Sequence, residues 1–401
     1  MQDFSSKSPG SSFPEVDATS AEHSEQVARH LAAKIADNDG AISFASYMHE
    51  ILYALGLGYY SAGATKFGEA GDFTTAPETS SLFGFVLARQ CAEVMRDWQS
   101  AERPTILEFG AGSGKLAADV LTRLADLGAL PDEYHILEVS PDLQARQSSF
   151  LRDAIPQHAD RIRWLDQLPD DYHGIVIANE VLDALPVERF VRHDDHIAQL
   201  CVACNEDGFA FIEREAPAPL QSAVEAIEDS IGAELPVGYT SEVCLAAPAW
   251  VADVARSMQH GIAFLFDYGV SRDEYYAHDR DDGWLRCHFR HHAHSDPLIL
   301  PGIQDVTAWV DYSAVADAAA ANGLRIDGYV SQAHFLLNGG LTEELTEFAE
   351  LEPAAQLQLS AEVKLLTLPG EMGENFKCLG VSRGLDSRPT GLASMDRTIT
   401  L

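Results

Sequence analysis

Leu107-Glu-Phe-Gly-Ala-Gly-Ser-Gly-Lys115 decides the fold of this 401-residue chain. A short apolar run carries an acid, three glycines alternate, and an amphipathic helix follows with Leu116, Val120, Leu121 and Leu124 on one face. A loop that leaves a strand and opens a helix can lay backbone N–H groups against a ligand. Three nucleotide chemistries use such loops, and spacing separates them. A phosphate-binding P-loop needs G-x-x-x-x-G-K-[ST]. Here Leu116 follows Gly114-Lys115, and Phe109 stands at the first glycine position. The dinucleotide fingerprint G-x-G-x-x-G/A, counted from Gly110, puts Lys115 at the last small position, where a long side chain spoils close helix–strand packing.

What remains is E-x-G-x-G-x-G, with Gly110, Gly112 and Gly114 alternating after Glu108. It is the pattern of class I S-adenosylmethionine (SAM) methyltransferases, whose loop wraps an amino-acid moiety and needs no helix dipole for a pyrophosphate. Outward from the loop, short apolar runs alternate with helices, the signature of a parallel sheet. Strands are predicted at Thr105–Phe109, Tyr134–Val139, Arg161–Leu165, Ile175–Ala178 and Ile262–Asp267, with two more near Arg325–Val330 and Phe376–Ser382. The fold class is therefore α/β, Rossmann-like, with a mostly parallel sheet. Polar groups end these strands where a nucleoside needs them. Glu138 can take both ribose hydroxyls, Asp166 can accept from the adenine amine, and Asn179-Glu180 reach the carboxyl edge where such folds place reacting groups.

Six segments are expected: a disordered tail over 1–22, a helical section over 23–103, a SAM-binding core over 104–190, an α+β insertion over 191–260, the rest of the core over 261–384 with a substrate-side loop at 280–311, and a tail over 385–401. In the helical section Val27, Leu31 and Ile35 mark one helix and Phe44, Met48, Ile51, Leu52 and Leu55 a second. A third is expected from Thr75 toward Trp98.

Composition excludes several functions. Lys and Arg number 27 against 62 Asp and Glu, a formal charge of -35, and no basic run interrupts that field. Such a chain repels phosphate backbones, which argues against nucleic-acid binding. No N-P-P-Tyr-like or D-P-P-Tyr-like stretch of a base amino-methyltransferase follows the fourth strand either. Apolar stretches such as Gly261–Phe266 are far too short to span a membrane. The start is polar and acidic, without a signal or transit pattern, and six cysteines are scattered, so a cytoplasmic protein with reduced thiols is expected.

Three further segments are open to two readings. In Gly71-Asp-Phe-Thr-Thr-Ala-Pro-Glu78, Thr75 and Glu78 form a capping box, so the plain reading is a helix start. The Gly-Asp pair and adjacent hydroxyls also suit a carboxylate such as that of methionine. Asn179-Glu-Val-Leu-Asp-Ala-Leu-Pro186 offers Glu180 and Asp183 three apart, able to grip a cation by paired hydrogen bonds. Cys287-His-Phe-Arg-His-His-Ala-His294 and Cys201-x-x-Cys204 lack the closed spacing of zinc sites, so no metal is expected.

Taken together, Gly71–Glu78, Leu107–Gly114, Asn179–Pro186 and Asp296–Asp311 (DPLILPGIQDVTAWVD) resemble the MidA-like family of SAM-dependent methyltransferases over about residues 24 to 384. That family includes the mitochondrial complex I assembly factor, a protein arginine methyltransferase. The resemblance implies SAM as cofactor, held by Gly110, Gly112, Gly114 and Glu138, with Asp72 and Thr75 close to it. It implies symmetric dimethylation of arginine in a protein substrate, a respiratory complex I subunit being the family's example. Ala76 replaces the Ser that members commonly carry before the Pro, removing one hydroxyl. Glu180 is the first expectation for the acceptor clamp, with Asp183 and Asp72 next. A homodimer is admitted by the same reading. Two other functions stay open: a SAM-binding assembly chaperone with little turnover, and a small-molecule methyltransferase.

Overall fold

The computed structural model describes residues 14–61, 75–99 and 104–401. Its centre is an eight-stranded sheet, seven strands in one row and the short Val310–Asp311 strand paired to β5 beside them; the seven are β1 (Thr105–Phe109), β2 (Tyr134–Leu137), β3 (Ile162–Leu165), β4 (Tyr172–Asn179), β5 (Met258–Val270), β6 (Arg325–Ser331) and β7 (Phe376–Arg383). The spatial order is β6-β7-β5-β4-β1-β2-β3. β7 alone among these strands is reversed, antiparallel to β5 on one side and to β6 on the other; β1 to β5 are parallel. The chain leaves β1 outward through β2 and β3, then crosses back to β4 and β5. The carboxyl ends of β1 and β4 therefore flank the switch point of the sheet, where open α/β folds take their ligands.

The strands form because both of their faces are apolar, as buried parallel strands require. Ile106, Ile175, Ile177, Ile262, Phe264 and Phe266 pack on one face of the sheet, and Leu107, Val176, Ala178, Ala263 and Leu265 on the other. Helices supply both covers. The first eight helices in chain order are α1 (Ala18–Ala36), α2 (Phe44–Tyr53), α3 (Ala76–Thr79), α4 (Ser81–Arg96), α5 (Lys115–Asp126), α6 (Pro141–Ala154), α7 (Ala218–Ile231) and α8 (Ala246–Ser257); α1, α2 and α7 pack away from this sheet. α4 and α5 close the first face through Phe83, Val86, Leu87, Leu116 and Val120. α8 and the helix Tyr312–Ala321 close the second through Val251, Val254, Val315 and Ala319.

Several boundaries differ from expectation. The third helix is two: Ser80, at φ -158°, ends α3, and its hydroxyl accepts the Leu82 N–H to start α4. Leu55 lies beyond α2, which stops at Tyr53, and is 84% exposed. The N-terminal tail ends earlier than residue 22, because Asp17 caps α1 by accepting from the Thr19 and Ser20 N–H groups. Residues 385–401 are not a loose tail. Leu392 is fully buried, Gly391 N–H donates to Gln90 Oε1 at 2.7 Å, and Tyr329 N–H donates to Asp396 Oδ1 at 3.0 Å.

Beside the core, Glu188–Arg192, Ile197–Asn205, Gly208–Glu215 and Thr240–Val243 pair antiparallel with one another and with Ile42–Ser43 of the front section. This module stops before α8, which belongs to the central sheet, so the separate unit is shorter than 191–260. A second small sheet joins Leu285–Phe289, His292–His294 and Asp305–Ala308. Among the described residues no helix is long and apolar enough to cross a membrane.

Candidate active site

A cavity of about 990 Å³ opens at the switch point, at the top of the usual range for small-molecule sites. Its floor is the glycine loop. Gly110, Gly112 and Gly114 take φ of +59°, +54° and +89°, left-handed values that side chains other than glycine's resist. Lys115, awkward for a dinucleotide loop, turns away: Nζ donates to Asp119 Oδ2 at 2.5 Å and to Ser81 Oγ at 2.9 Å. The loop therefore offers backbone without a cation, which suits an amino-acid moiety better than a pyrophosphate.

Glu138 stands beside the loop and lines the cavity. Its Oε1 accepts the Ser140 N–H and its Oε2 accepts Gln147 Nε2, each at 3.0 Å. The same Gln147 nitrogen donates to the Gly112 carbonyl at 3.0 Å, and its Oε1 accepts Trp164 Nε1 at 2.9 Å. Gln147, fully buried, thus fixes the carboxylate to the loop. Sequence reading missed it, since a Gln inside α6 carries no signal of its own. Asp166 is placed differently from expectation. It is exposed and does not line the cavity, whereas its neighbours Gln167 and Leu168 do. β3 ends at Leu165, and Asp166 lies in the bend that follows.

The segment before α4 reaches both halves of the site. Thr75 lines the cavity and caps α3, its hydroxyl accepting the Glu78 N–H at 3.4 Å. The Ser113 hydroxyl of the glycine loop donates to Glu78. The Ala76 N–H donates to the carboxylate of Glu180. Asp72 lies outside the described residues.

Asn179 and Glu180 end β4 and line the cavity. Asn179 Nδ2 donates to Glu180 Oε1 at 3.0 Å, and its buried Oδ1 has no partner among the described residues. An acceptor so placed suits the ammonium of a methionine moiety. Glu180 itself holds φ +53°, rare for a residue with a side chain. Its N–H is anchored to the Phe266 carbonyl at 2.9 Å. Asp183 is brought close but stays behind the wall, 3% exposed. Asp267, in the last part of β5, holds the intervening turn by accepting the Leu182 and Asp183 N–H groups at 2.9 and 3.1 Å.

The acids gather. Burial and the charge of Asp183 push Glu180 above the usual carboxylate range. Burial and Asp305 push Asp183 up to about 8. Burial, Asp183 and Glu180 push Asp267 up as well. The charges acting on these three are other carboxylates, not Lys or Arg. Three tyrosines complete the wall: Tyr268 donates to Glu180 Oε2 at 3.4 Å, Tyr60 to Asp305 Oδ1 at 3.0 Å, and Tyr53 to the Ala184 carbonyl at 2.8 Å. Sequence reading did not single out Asp267, Tyr268, Tyr60 or Asp305. The signal for Asp305 was present in the DPLILPGIQD stretch, but not its role.

On the sheet itself, Glu108 is buried and pushed up to about 7 by burial, although Tyr134 donates to its Oε2 at 2.7 Å. The Cys/His segment folds as the hairpin Leu285–Phe289 with His292–His294, turning at Arg290 and His291 with φ of +48° and +62°. Among the described residues no three His, Cys, Asp or Glu side chains could hold a metal.

The strand order, the glycine loop after β1 and the carboxylate after β2 together define a class I SAM-dependent methyltransferase. The profile of the Methyltransf_28 family, a SAM-dependent methyltransferase family, matches residues 86–330, and this chain belongs to that family. A Burkholderia thailandensis protein crystallised with S-adenosyl-homocysteine is 41% identical, covers 97% of this chain and 100% of its own, and superposes with a TM-score of 0.90. Two curated relatives are named protein arginine methyltransferase NDUFAF7, mitochondrial. The Danio rerio protein is 29% identical over 89% of this chain and 87% of its own length, and the Homo sapiens protein 28% identical over 87% and 81%. The resemblance to MidA-like methyltransferases stands, and SAM is the cofactor.

Proposed function

We propose that this chain N-methylates arginine in a protein substrate, with Glu180 as the clamp for the guanidinium. The observation that carries the reading is the Glu180 carboxylate, held on left-handed backbone at +53° and lining the same cavity as the glycine loop. The relatives named protein arginine methyltransferase support arginine as the acceptor. Gly110, Gly112 and Gly114 would hold the methionine part of SAM, Glu138 the ribose, and Asn179 and Thr75 the amino-acid end. Asp166 and Asp72 remain assigned to the cofactor and acceptor by sequence alone.

Bound SAM supplies an electrophilic methyl group. The chain's own task is orientation and charge. A guanidinium enters fully protonated, so carboxylates must draw its charge to the nitrogens that are not attacked. Two hydrogen bonds from one face of the guanidinium to Glu180 fix the third nitrogen in line, and strong base chemistry is not needed. As N–CH3 forms and C–S breaks, the bond pair goes to sulfur and the product guanidinium gives up one proton to solvent. Asp183, Asp267 and Asp305 lie behind Glu180 as further acids, with Asp183 and Asp267 pushed above the usual carboxylate range by burial and by neighbouring acids.

Symmetric dimethylation and a complex I subunit as acceptor extend the reading along the family resemblance; a homodimer is a separate expectation. A cytoplasmic location rests on six free thiols, and the mitochondrial names of the relatives do not fit it plainly. The test is labelled SAM added with this protein to lysate of a strain that lacks it. One labelled protein band yielding methylarginine on hydrolysis is expected. Label confined to small molecules would make this a small-molecule methyltransferase, and no label at all would make it a SAM-binding assembly chaperone.

A further inference from the structure

We propose that the front section builds the acceptor's half of the cavity: an aromatic-walled slot, with Tyr53 and Tyr60 set against Glu180, that admits a flat guanidinium in preference to the ammonium of lysine. The inference rests on the reading of Glu180 as the guanidinium clamp and deepens it.

The groups that line the cavity fall into two sets, each fastened to a different part of the sheet. α8 brings Trp250, Asp253 and Arg256 to one side. Trp250 stands edge-on to Phe109, the last residue of β1, with centroids 4.9 Å apart. Ser257 Oγ donates to the Pro169 carbonyl at 2.6 Å, in the loop after β3. That side therefore goes with Glu138 and Gln167, beyond the ends of β2 and β3, and forms the cofactor's half.

α2 and the residues after it bring His49, Tyr53, Leu55 and Tyr60 to the other side. None of these four comes from the central sheet. The Tyr53 hydroxyl donates to the Ala184 carbonyl at 2.8 Å, in the turn that follows Glu180, and the Tyr60 hydroxyl donates to Asp305 Oδ1 at 3.0 Å. The rings form a ladder. His49 lies 5.7 Å from Tyr53, Tyr53 is nearly parallel to Tyr60 at 5.5 Å, and Tyr60 stands edge-on to Tyr59 at 5.1 Å. Both phenol protons are spent on the protein, so Tyr53 and Tyr60 offer a ligand ring carbon and no donor.

An acid beside aromatic carbon selects among cations. A guanidinium is flat and weakly hydrated, so it can lie along the rings and still give two hydrogen bonds to one carboxylate. The lysine ammonium is compact and strongly hydrated, and carbon walls leave part of its donor set unmatched. Among the described residues that line the cavity, Arg256 is the only Lys or Arg, and its Nη1 is held by Asp253 Oδ1 at 2.7 Å on the cofactor's side. No cation of the protein therefore competes for Glu180 in the slot. Exposed Leu55 and half-buried Leu185 and Pro186 edge the same side, where the aliphatic stem of an entering side chain meets carbon.

The full chain loaded with S-adenosyl-homocysteine is titrated with N-acetyl-arginine methylamide and with its lysine counterpart, followed by ligand-observed NMR. Wild type should bind the arginine probe at least about fivefold more tightly. Tyr60→Leu should weaken the arginine probe about twofold to fivefold, the worth of one cation–aromatic contact, and leave the lysine probe where it was. Leu55→Ala changes an exposed position that the fold does not need. It should weaken both probes alike, about threefold, because the stem they share loses carbon contact. Affinity for S-adenosyl-homocysteine, measured by calorimetry, should stay at the wild-type value in both variants. Equal binding of the two probes by wild type, or arginine binding indifferent to both variants, overturns the proposal. So does a loss of S-adenosyl-homocysteine affinity that matches the loss of the probe, which would put this wall on the cofactor's side. Methylarginine in the labelling assay without any probe preference removes the slot alone. A preference that holds while that assay yields no methylarginine leaves the slot and removes the arginine-methylation reading.

Discussion

The hydroxyl of Ser113 donates to the carboxylate of Glu78, joining the glycine loop to the segment that leads into α4. The same serine oxygen accepts the Lys115 N–H at 3.2 Å, so one side chain holds the exit of the loop and ties it to that segment. The segment carrying Glu78 also presents the Ala76 N–H to Glu180. The glycine loop and Glu180 are therefore braced by a single short turn.

Ser113→Ala removes a hydrogen bond to a charged group, worth about 1.5–3 kcal/mol. SAM affinity measured by calorimetry should fall at least about tenfold. Unchanged affinity would show that the brace does not shape the loop.

Gly112 sits at φ +54°, where a β-branched side chain is strained whatever the space around it. Gly112→Val should abolish measurable SAM binding in the same assay. Normal binding by that variant would contradict the assignment of the loop to the cofactor.

Gln147 bridges the Gly112 carbonyl and Glu138. Gln147→Leu leaves both without that donor and should weaken SAM about tenfold, with turnover at saturating SAM close to wild type. A drop in turnover with unchanged affinity would move Gln147 from the cofactor side to the acceptor side.

Glu108 predicts a pH dependence of stability. Its folded value is raised to about 7 from an ordinary 4.5, so between those values the folded state holds the proton more tightly than the unfolded chain. Stability from this group is then greatest below 4.5 and is lost as pH rises toward 7. Glu108→Gln keeps an oxygen for Tyr134 and removes the titration. Its melting temperature, relative to wild type, should climb as pH rises through that window and level off above it. A constant difference at all pH would remove the buried acid from the account.

Much of this architecture was legible in the chain. Runs such as Ile175–Ala178 and Ile262–Asp267 are apolar on both faces because parallel strands are covered on both, and that pattern needs no tertiary information. The glycine loop was equally plain, since three left-handed turns at alternate positions leave little choice of residue. The acid cluster was not. Asp183 and Asp267 meet only because β5 lies beside β4, pairing Phe266 with Asn179, and Asp305 arrives from the second small sheet, whose Ala308 N–H donates to the Asp183 carbonyl at 3.0 Å; no local spacing records either approach. The C-terminal segment misled for another reason. Its Ser, Thr, Asp and Arg residues look like solvated tail, yet they are held by bonds such as Asn338 Nδ2 to the Ser394 carbonyl at 3.0 Å. Polar composition does not reveal polar anchoring.

The central claim is that one cavity seats the SAM sulfur between the glycine loop and Glu180, and a crystal structure of this protein with S-adenosyl-homocysteine measures it directly. The account predicts ribose hydroxyls on Glu138, the amino-acid end against Gly110 to Gly114, and the side of sulfur that would carry the methyl facing Glu180 across a gap wide enough for a guanidinium. Sulfur turned away from Glu180, or a ribose held by other groups, would contradict it.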